Sequence, residues 1–317
     1  MNTNVTGRLY GVGLGPGDPG LITLKSARLI ESADVIAYHA GTGKSSIARA
    51  IASDLIPSGA IEEELRYPVT TGKAVHPGGY HQQLADFYDE CAERLGAHLD
   101  AGRNVVVLAE GDPMFYGSFM YLHDRLAGRF PTEVVAGVTA VAGASAVAAK
   151  SLCRHEDVLT TLSGTLPVPE LARRLADTDA AVVMKLGRTF ANVREALRQA
   201  GLLERAIYVE RATREGERVL AAADVDPATV PYMSIVIVPG QDRRADSAGR
   251  AAISTAANEG RVETTGTVHV VGLGPGPDRW LTPEVSEILA QVDHVVGYAP
   301  YVDRVPQREG LTRHASG

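Results

Sequence analysis

Two glycine-rich segments hold the residues whose types and spacing point to chemistry. The first is Val12-Gly-Leu-Gly-Pro-Gly-Asp-Pro-Gly-Leu-Ile-Thr23, which follows a short apolar run at residues 8–11. The second is Glu110-Gly-Asp-Pro-Met-Phe-Tyr-Gly-Ser118, which follows the continuous apolar run Asn104–Ala109. Helical spacing comes after each. Turns of this kind, outside the carboxyl ends of parallel strands, are where α/β proteins hold small ligands. Gly15-Pro-Gly-Asp-Pro-Gly20 formally fits G-x-G-x-x-G, the dinucleotide fingerprint. Its prolines argue otherwise: Pro16 and Pro19 have no N–H for a pyrophosphate, and each biases the residue before it away from helix. The loop therefore reads as a rigid extended turn that lets a ligand approach closely. Gly43-Lys44-Ser45 imitates the end of a phosphate-binding loop, but the glycine required five positions before Gly43 is Tyr38. A helix start leading into residues 47–55 is the better reading.

The elements that must position these turns follow from periodicity. Strands are expected near residues 8–11, 34–38, 62–69, 104–109 and 133–135. Helices are expected over residues 24–33, 80–99, 119–126 and 140–150. The run Val105–Leu108 has no polar residue, which marks a strand buried on both faces of a parallel sheet. Two glycine turns on strands of one sheet define one crevice. Beyond residue 155 the alternation continues, and the runs 218–222 and 232–238 lack a helix between them. That half should therefore hold a mixed sheet ending in an antiparallel pair. The fold class is α/β, a parallel Rossmann-like N-terminal sheet plus a mixed-sheet C-terminal domain. The expected divisions are 1–115, 116–240, a flexible linker at 241–267 rich in Asp, Arg, Ser, Ala and Gly, and 268–317.

The last segment repeats the first. Gly11-Val-Gly-Leu-Gly-Pro-Gly17 with Leu21-Ile-Thr23 recurs as Val270-Val-Gly-Leu-Gly-Pro-Gly276 followed by Leu281-Thr282, 259 positions on. A repeat at that distance marks a second domain of the same kind. It predicts a strand, loop, helix and strand over residues 268–298, and the copy stops about fifty residues in.

At 317 residues, with 45% hydrophobic and 22% charged residues, the chain is an ordinary globular protein long enough for two domains. A net charge of −7 and 5% aromatic residues weigh against generic nucleic-acid binding. No apolar run approaches the roughly 20 residues of a membrane span, and Met1-Asn-Thr-Asn-Val-Thr lacks the basic start and apolar core of a secretory signal. Two cysteines, Cys91 and Cys153, fit a reducing cytoplasm, and Cys91 falls in phase with Leu84, Phe87 and Leu95 on a core-facing helix stripe.

Gly13-Leu-Gly-Pro-Gly17 with Leu21-Ile-Thr23, Gly111-Asp-Pro113, Ala136-Gly-Val-Thr-Ala140 and Val182-Val-Met-Lys185 together resemble the tetrapyrrole methylases. The resemblance runs from Arg8 to Gly240. Tyr67-Pro-Val-Thr70, the Gly111–Leu122 stretch and Met184-Lys-Leu-Gly-Arg-Thr189 are most similar to the branch that methylates C20 of precorrin-2. Residues 268–317, with Gly297-Tyr-Ala-Pro-Tyr-Val-Asp303, resemble the opening of the branch that methylates C17 of precorrin-3B, as in a fused bifunctional chain cut short. The resemblance implies a cytoplasmic homodimer that binds S-adenosyl-L-methionine between two α/β domains and acts on a tetrapyrrole. Carried over motif by motif, it implies that Pro16 lines the cofactor site. Glu110, Gly111 and Asp112 meet the methionine or ribose end, with Phe115 nearby. Thr139, Ala140, Met184 and Ala212 surround the adenosine. His39 stands where relatives carry an Asp thought to handle a proton.

Methyl transfer from a sulfonium to carbon needs positioning more than acid–base power. A chain with no Ser-His-Asp set, no metal-ligand cluster and no catalytic cysteine signature suits it. Taken without the resemblance, Asp112 is also good turn chemistry and Met184 a core strand residue. Tyr116 and Ser118 either cap the following helix or contact substrate. His39 is either a proton acceptor or a satisfied polar residue at a strand end. A polycarboxylate substrate calls for local basic groups, and among Arg66, Lys73, His76, Lys150, Arg154, Lys185 and Arg188 the first choice is Arg66, beside the Tyr67–Thr70 loop. The alternatives are a cobalt-containing substrate of the same shape, a nicotinamide-dependent oxidoreductase, and a non-catalytic tetrapyrrole-binding module. The oxidoreductase requires an acidic residue where Tyr38-His39 stands.

Overall fold

The computed structural model describes residues 6–68, 76–241 and 266–316. Val69, Thr70 and Lys73 and nearly all of the expected linker lie outside the described residues. Two compact units emerge, Met1–Thr139 together with His269–Gly317, and Ala140–Val268.

The first unit is built on β1 (Leu9–Gly13), α1 (Leu24–Glu31), β2 (Val35–Ala40), α2 (Ile47–Ile51), β3 (Ile61–Arg66), α3 (Gly79–Asp100), β4 (Val105–Ala109), α4 (Phe119–Leu126) and β5 (Thr132–Val135). Its five strands are all parallel, in the order β3-β2-β4-β1-β5. The unit extends past residue 115 to Thr139 because β5 pairs with β1. Alternation of side chains divides the core into two layers. Val105 and Val107 join Leu9, Val35 and Leu65 against Phe87, Leu95 and Leu99 of α3 and Phe119 and Leu122 of α4. Val106 and Leu108 join Val12 and Ile36 against Ile30 of α1 and Ala48 and Ile51 of α2. Every residue of β4 is buried, as an apolar run covered on both faces requires. Cys91 belongs to the α3 layer, and burial pushes its thiol up to about 12.

The second unit holds α5 (Ala140–Val147), β6 (Leu159–Ser163), α6 (Val168–Ala176), β7 (Ala180–Met184), α7 (Phe190–Gln199), β8 (Ile207–Glu210), β9 (Arg218–Ala221) and β10 (Ser234–Val238). Its sheet runs β6-β7-β10-β8-β9. Only β6 and β7 are parallel. The last two strands, β9 and β10, do not pair with each other as the missing helix between them suggested, because β10 inserts between β7 and β8 and β9 pairs with β8 at the edge. One face packs Val183, Tyr208 and Val236 against Leu171, Phe190 and Val193, and the other packs Val182, Val209 and Ile237 against Val141 and Ala144 of α5.

The repeat at the chain's end contributes α8 (Pro283–Gln291), β11 (His294–Tyr298), α9 (Ala299–Val302) and β12 (Thr312–Ser316), with β11 and β12 parallel. The strand expected at residues 268–271 does not form, and Val268 and Val270 are 89% and 98% exposed. In the first copy β1 is flanked by β4 and β5, not by β2. Among the described residues no strand pairs with residues 268–272.

Candidate functional site

In the first sheet β1 and β4 are neighbours, yet the chain leaves β1 toward β2 on one side and leaves β4 toward β5 on the other. That reversal is the topological switch point, where open α/β sheets take their ligands. Both glycine segments emerge there, and the backbone zips them together. The Leu14 N–H donates to the Ala109 carbonyl at 3.0 Å. One residue on, Gly15 and Gly111 exchange two hydrogen bonds, of 3.2 and 2.7 Å, as a single antiparallel bridge. Gly15 and Gly111 adopt φ values of +78° and +66°, a region that favours glycine.

A third segment, after β5, closes on the same point. A Cβ at Gly137 would fall 2.1 Å from the Gly111 carbonyl oxygen, and a Cβ at Gly13 would fall 2.5 Å from the Gly137 nitrogen. Asp112 holds this junction. Its Oδ1 accepts from the Met114 N–H at 2.9 Å, and its Oδ2 accepts from the Gly137 N–H at 3.0 Å. Pro16 is buried beside the bridge. The first loop returns to the sheet through Thr23, which caps α1 by accepting from the Ser26 N–H, while the Ser26 hydroxyl donates to the Gly13 carbonyl at 3.0 Å. Glu110 is exposed, and its carboxylate accepts from the Ala48 N–H at 3.2 Å. Phe115 and Tyr116 stand exposed on the second loop, in edge contact with each other.

His39 lies inside β2, opposite Leu65 of β3, not beyond the strand end. Its ring stacks on Tyr67 at 5.2 Å and meets the edges of Phe87 and Tyr88. Its Nε2 is buried with no hydrogen-bond partner among the described residues. Burial lowers its pKa to about 4, so the imidazole is neutral at neutral pH. Beside it the Tyr67 hydroxyl bonds both Ser118 and, at 3.2 Å, the Tyr88 hydroxyl. Burial raises the pKa of both tyrosines, which fixes them as neutral hydrogen-bonding groups. Ser118 thus serves the aromatic cluster and makes no cap bond to α4. Tyr67→Phe is expected to cost about 1 kcal/mol of stability by removing the shared hydroxyl, measured as a lower urea midpoint. Arg66 donates to the carbonyls of Gly41, at 3.0 Å, and Lys44, and pairs with Glu64, so its guanidinium is engaged locally.

In the second unit Met184 and Ala212 pack on one apolar cluster with Val141, Val182 and Ile235. Ala140 opens α5, whose Val141 and Ala144 join that cluster, and Thr139 precedes it as the last residue of the first unit. Backbone strain flanks these positions. Lys185 follows Met184 with φ of 58°, and Arg211 and Thr213 bracket Ala212 with φ of 50° and 63°. Tyr116 of the glycine loop has φ of 57°. Non-glycine residues in this region cost of order 1–3 kcal/mol each and concentrate at ligand sites.

The structure therefore gathers Pro16, Gly111 and Asp112 in the first unit, with His39 and Ser118 on either side of Tyr67, and Met184 with Ala212 in the second. The residues that sequence reasoning passed over are Gly137, Ser26 and Tyr88, together with the hydroxyl of Tyr67. Gly137 sat in a quoted motif, but nothing local reveals that it touches Gly13 and Gly111.

Comparison with known proteins is consistent with this geometry. The family described as tetrapyrrole (corrin/porphyrin) methylases matches residues 8–224. The chain is 54% identical, over 98% of its length, to the cobalamin biosynthesis protein CobIJ of Mycobacterium bovis, and it spans 58% of that relative's length. It is 49% identical, over 74% of its own length and 96% of the other's, to a precorrin-2 C(20)-methyltransferase of a Sinorhizobium species. The uroporphyrin-III C-methyltransferase of Thermus thermophilus, solved in complex with S-adenosylhomocysteine, superposes with a TM-score of 0.51 at 25% identity, covering 74% of this chain and 92% of that one. Two glycine loops joined at the switch point of a parallel sheet, a following mixed-sheet unit and these matches agree, and the chain belongs to the tetrapyrrole methylases.

Proposed function

We propose that the chain is an S-adenosyl-L-methionine-dependent methyltransferase that methylates C20 of precorrin-2, giving precorrin-3A and S-adenosylhomocysteine. The observation that carries this reading is the 49% identity to a precorrin-2 C(20)-methyltransferase over 96% of that enzyme's length. The residues fit the cofactor. The backbones of Gly13, Gly111 and Gly137 meet in a cradle too close for a Cβ at Gly13 or Gly137. Glu110 and Asp112 supply carboxylates suited to a sulfonium and an ammonium, and the apolar cluster under Met184 and Ala212 suits an adenine ring.

Bound here, S-adenosyl-L-methionine would supply an electrophilic methyl group, its sulfur keeping the electron pair of the carbon–sulfur bond as the methyl passes to carbon. This chain's residues orient. Pro16, Gly111 and Asp112 fix the methionine end, with Phe115 beside it, while Thr139, Ala140, Met184 and Ala212 hold the adenosine. Orientation alone can lower such a barrier by about 7 kcal/mol or more. The methylated carbon must also lose a proton. His39, uncharged at neutral pH, is free to take it, as a weak base whose contribution is modest. Arg66, Tyr116 and Ser118 line the substrate side, Arg66 by exchanging exposed partners of little energetic worth. Residues 268–317 repeat the opening of the first methylase unit. A cytoplasmic homodimer without nucleic-acid or membrane partners completes the reading, and no helix among the described residues is long and apolar enough to cross a membrane.

Calorimetric titration with S-adenosylhomocysteine, run beside NAD, tests this. One micromolar site per chain with no response to NAD is expected, as is binding at least 10-fold weaker in Asp112→Ala, which leaves the Met114 and Gly137 N–H groups without their acceptor. Binding of NAD alone would overturn the methyltransferase reading, and Arg66→Ala turning over precorrin-2 at the wild-type rate would remove Arg66 from it.

A further inference from the structure

The two copies of the glycine segment meet each other. Shifted by 259 positions, the 3-10 turn Pro19–Leu21 becomes the turn Asp278–Trp280, and α1 becomes α8. The first copy's turn touches α8, and the second copy's turn touches α1. A reciprocal pattern of this kind is the signature of a two-fold, self-complementary contact, whereas a head-to-tail contact uses each patch once.

The details obey the same symmetry. Thr23 and Thr282, both buried, cap α1 and α8 with their side chains. Leu24, whose N–H has no acceptor within its own helix, donates to the Leu281 carbonyl at 3.1 Å. The symmetric bond would run from residue 283 to the Ile22 carbonyl, but residue 283 is proline and has no N–H. One bond of the pair remains. Trp280, the sole tryptophan, packs on the cluster of Ile22, Leu29 and Ile30, with the Lys25 ammonium 5.3 Å from its ring centre. A Cβ on Gly20 would lie 3.8 Å from the Cβ of Glu284.

We propose that the second repeat of this chain pairs with the first about an approximate two-fold axis, turn to helix and helix to turn, so that the first repeat is the docking surface of the second. The inference stands on the repeat and its contacts, independently of the methyltransferase reading.

A cross-link tests it. The Cβ separation of Gly20 and Glu284 lies at the mean for disulfides, about 3.8 Å. The full chain carrying Gly20→Cys and Glu284→Cys in a Cys153→Ser background, oxidised with oxidised glutathione, is expected to form one intrachain disulfide, both thiols losing a hydrogen as the glutathione is reduced. Cys91 is buried with a raised pKa and stays a thiol. Non-reducing electrophoresis and peptide mass mapping read the result. A link found only between chains, or none in a folded protein, overturns the proposal. Trp280→Ala gives the second reading. Amide exchange is expected to accelerate together in residues 19–31 and 278–291, since either partner loses protection when the pairing fails. Unchanged exchange in residues 19–31 overturns the proposal even if the double variant does not fold.

Discussion

Gly137→Ala is expected to destabilise the first unit by about 3 kcal/mol, at the upper end for overpacked sites, and to weaken S-adenosylhomocysteine binding about 100-fold or more. The added methyl would lie 2.1 Å from the Gly111 oxygen, 2.8 Å from the Gly13 Cα and 2.9 Å from the Gly13 carbonyl carbon. All three are backbone atoms, so no rotamer change relieves the collision. Neither neighbour can retreat: Gly111 is tied to Gly15 by two hydrogen bonds, and Gly13 lies in β1 between β4 and β5. Relief has to come from residue 137 moving, which breaks its N–H bond to Asp112 and opens the junction of the loops. Gly128→Ala is the matched control, because a Cβ there meets nothing within 4 Å. Urea unfolding and calorimetry of both variants settle the matter. Wild-type stability in Gly137→Ala would mean that the three segments can separate at little cost and that the cradle is not fixed.

Acid is expected to destabilise the protein through His39. Its folded pKa of about 4 lies below the ordinary 6.5, so between those values the unfolded chain binds a proton that the native state refuses. Stability from this group is complete above pH 6.5 and is lost as the pH falls toward 4. The loss is about 3 kcal/mol for a shift of this size. The cause is desolvation: the imidazole stacks on Tyr67 among Phe87 and Tyr88, and its Nε2 meets no acceptor among the described residues. His39→Phe keeps the ring stack and removes the titration. Urea midpoints at pH 7, 5.5 and 4 should converge between wild type and variant at high pH and diverge in acid, with the variant the more stable at pH 4. Groups common to both chains, such as Glu63 beside Arg94 and His98, cancel in the difference. Parallel pH profiles would place His39 in water.

Much of the fold was legible. Helix α4 and strand β4 stand where helical spacing and a continuous apolar run put them, because each has its period written in adjacent residues. The order β3-β2-β4-β1-β5 is not so written. The insertion of β4 between β2 and β1 depends on pairing residues about seventy to a hundred positions apart. His39 reads as a residue past a strand end, yet β3 pairs with β2 as far as Ala40 and draws it into the sheet. Arg66 reads as the first choice for a substrate carboxylate, and only the folded chain shows Gly41, Lys44 and Glu64 around its guanidinium. The Tyr67–Ser118–Tyr88 hydroxyls come from three separate elements, so no spacing announces them.

The repeat divides what sequence alone determined from what tertiary structure decided. Gly15 and Gly274 take the same left-handed backbone, at φ of +78° and +66°, and each is followed by a 3-10 turn, a capping threonine and a helix. These features form in both copies because their hydrogen bonds close within a few residues, so the local sequence carries everything they need. The two glycine carbonyls find different partners: the Gly15 oxygen accepts from the Gly111 N–H, while the Gly274 oxygen accepts from the Arg304 guanidinium. The strand ahead of each loop is different. Leu9–Gly13 is a buried central strand, and the equivalent Val268–Gly272 has the same apolar character but no strand structure. A strand's hydrogen-bond ladder can be closed only by another strand, and those partners come from residues a hundred positions later in the first copy.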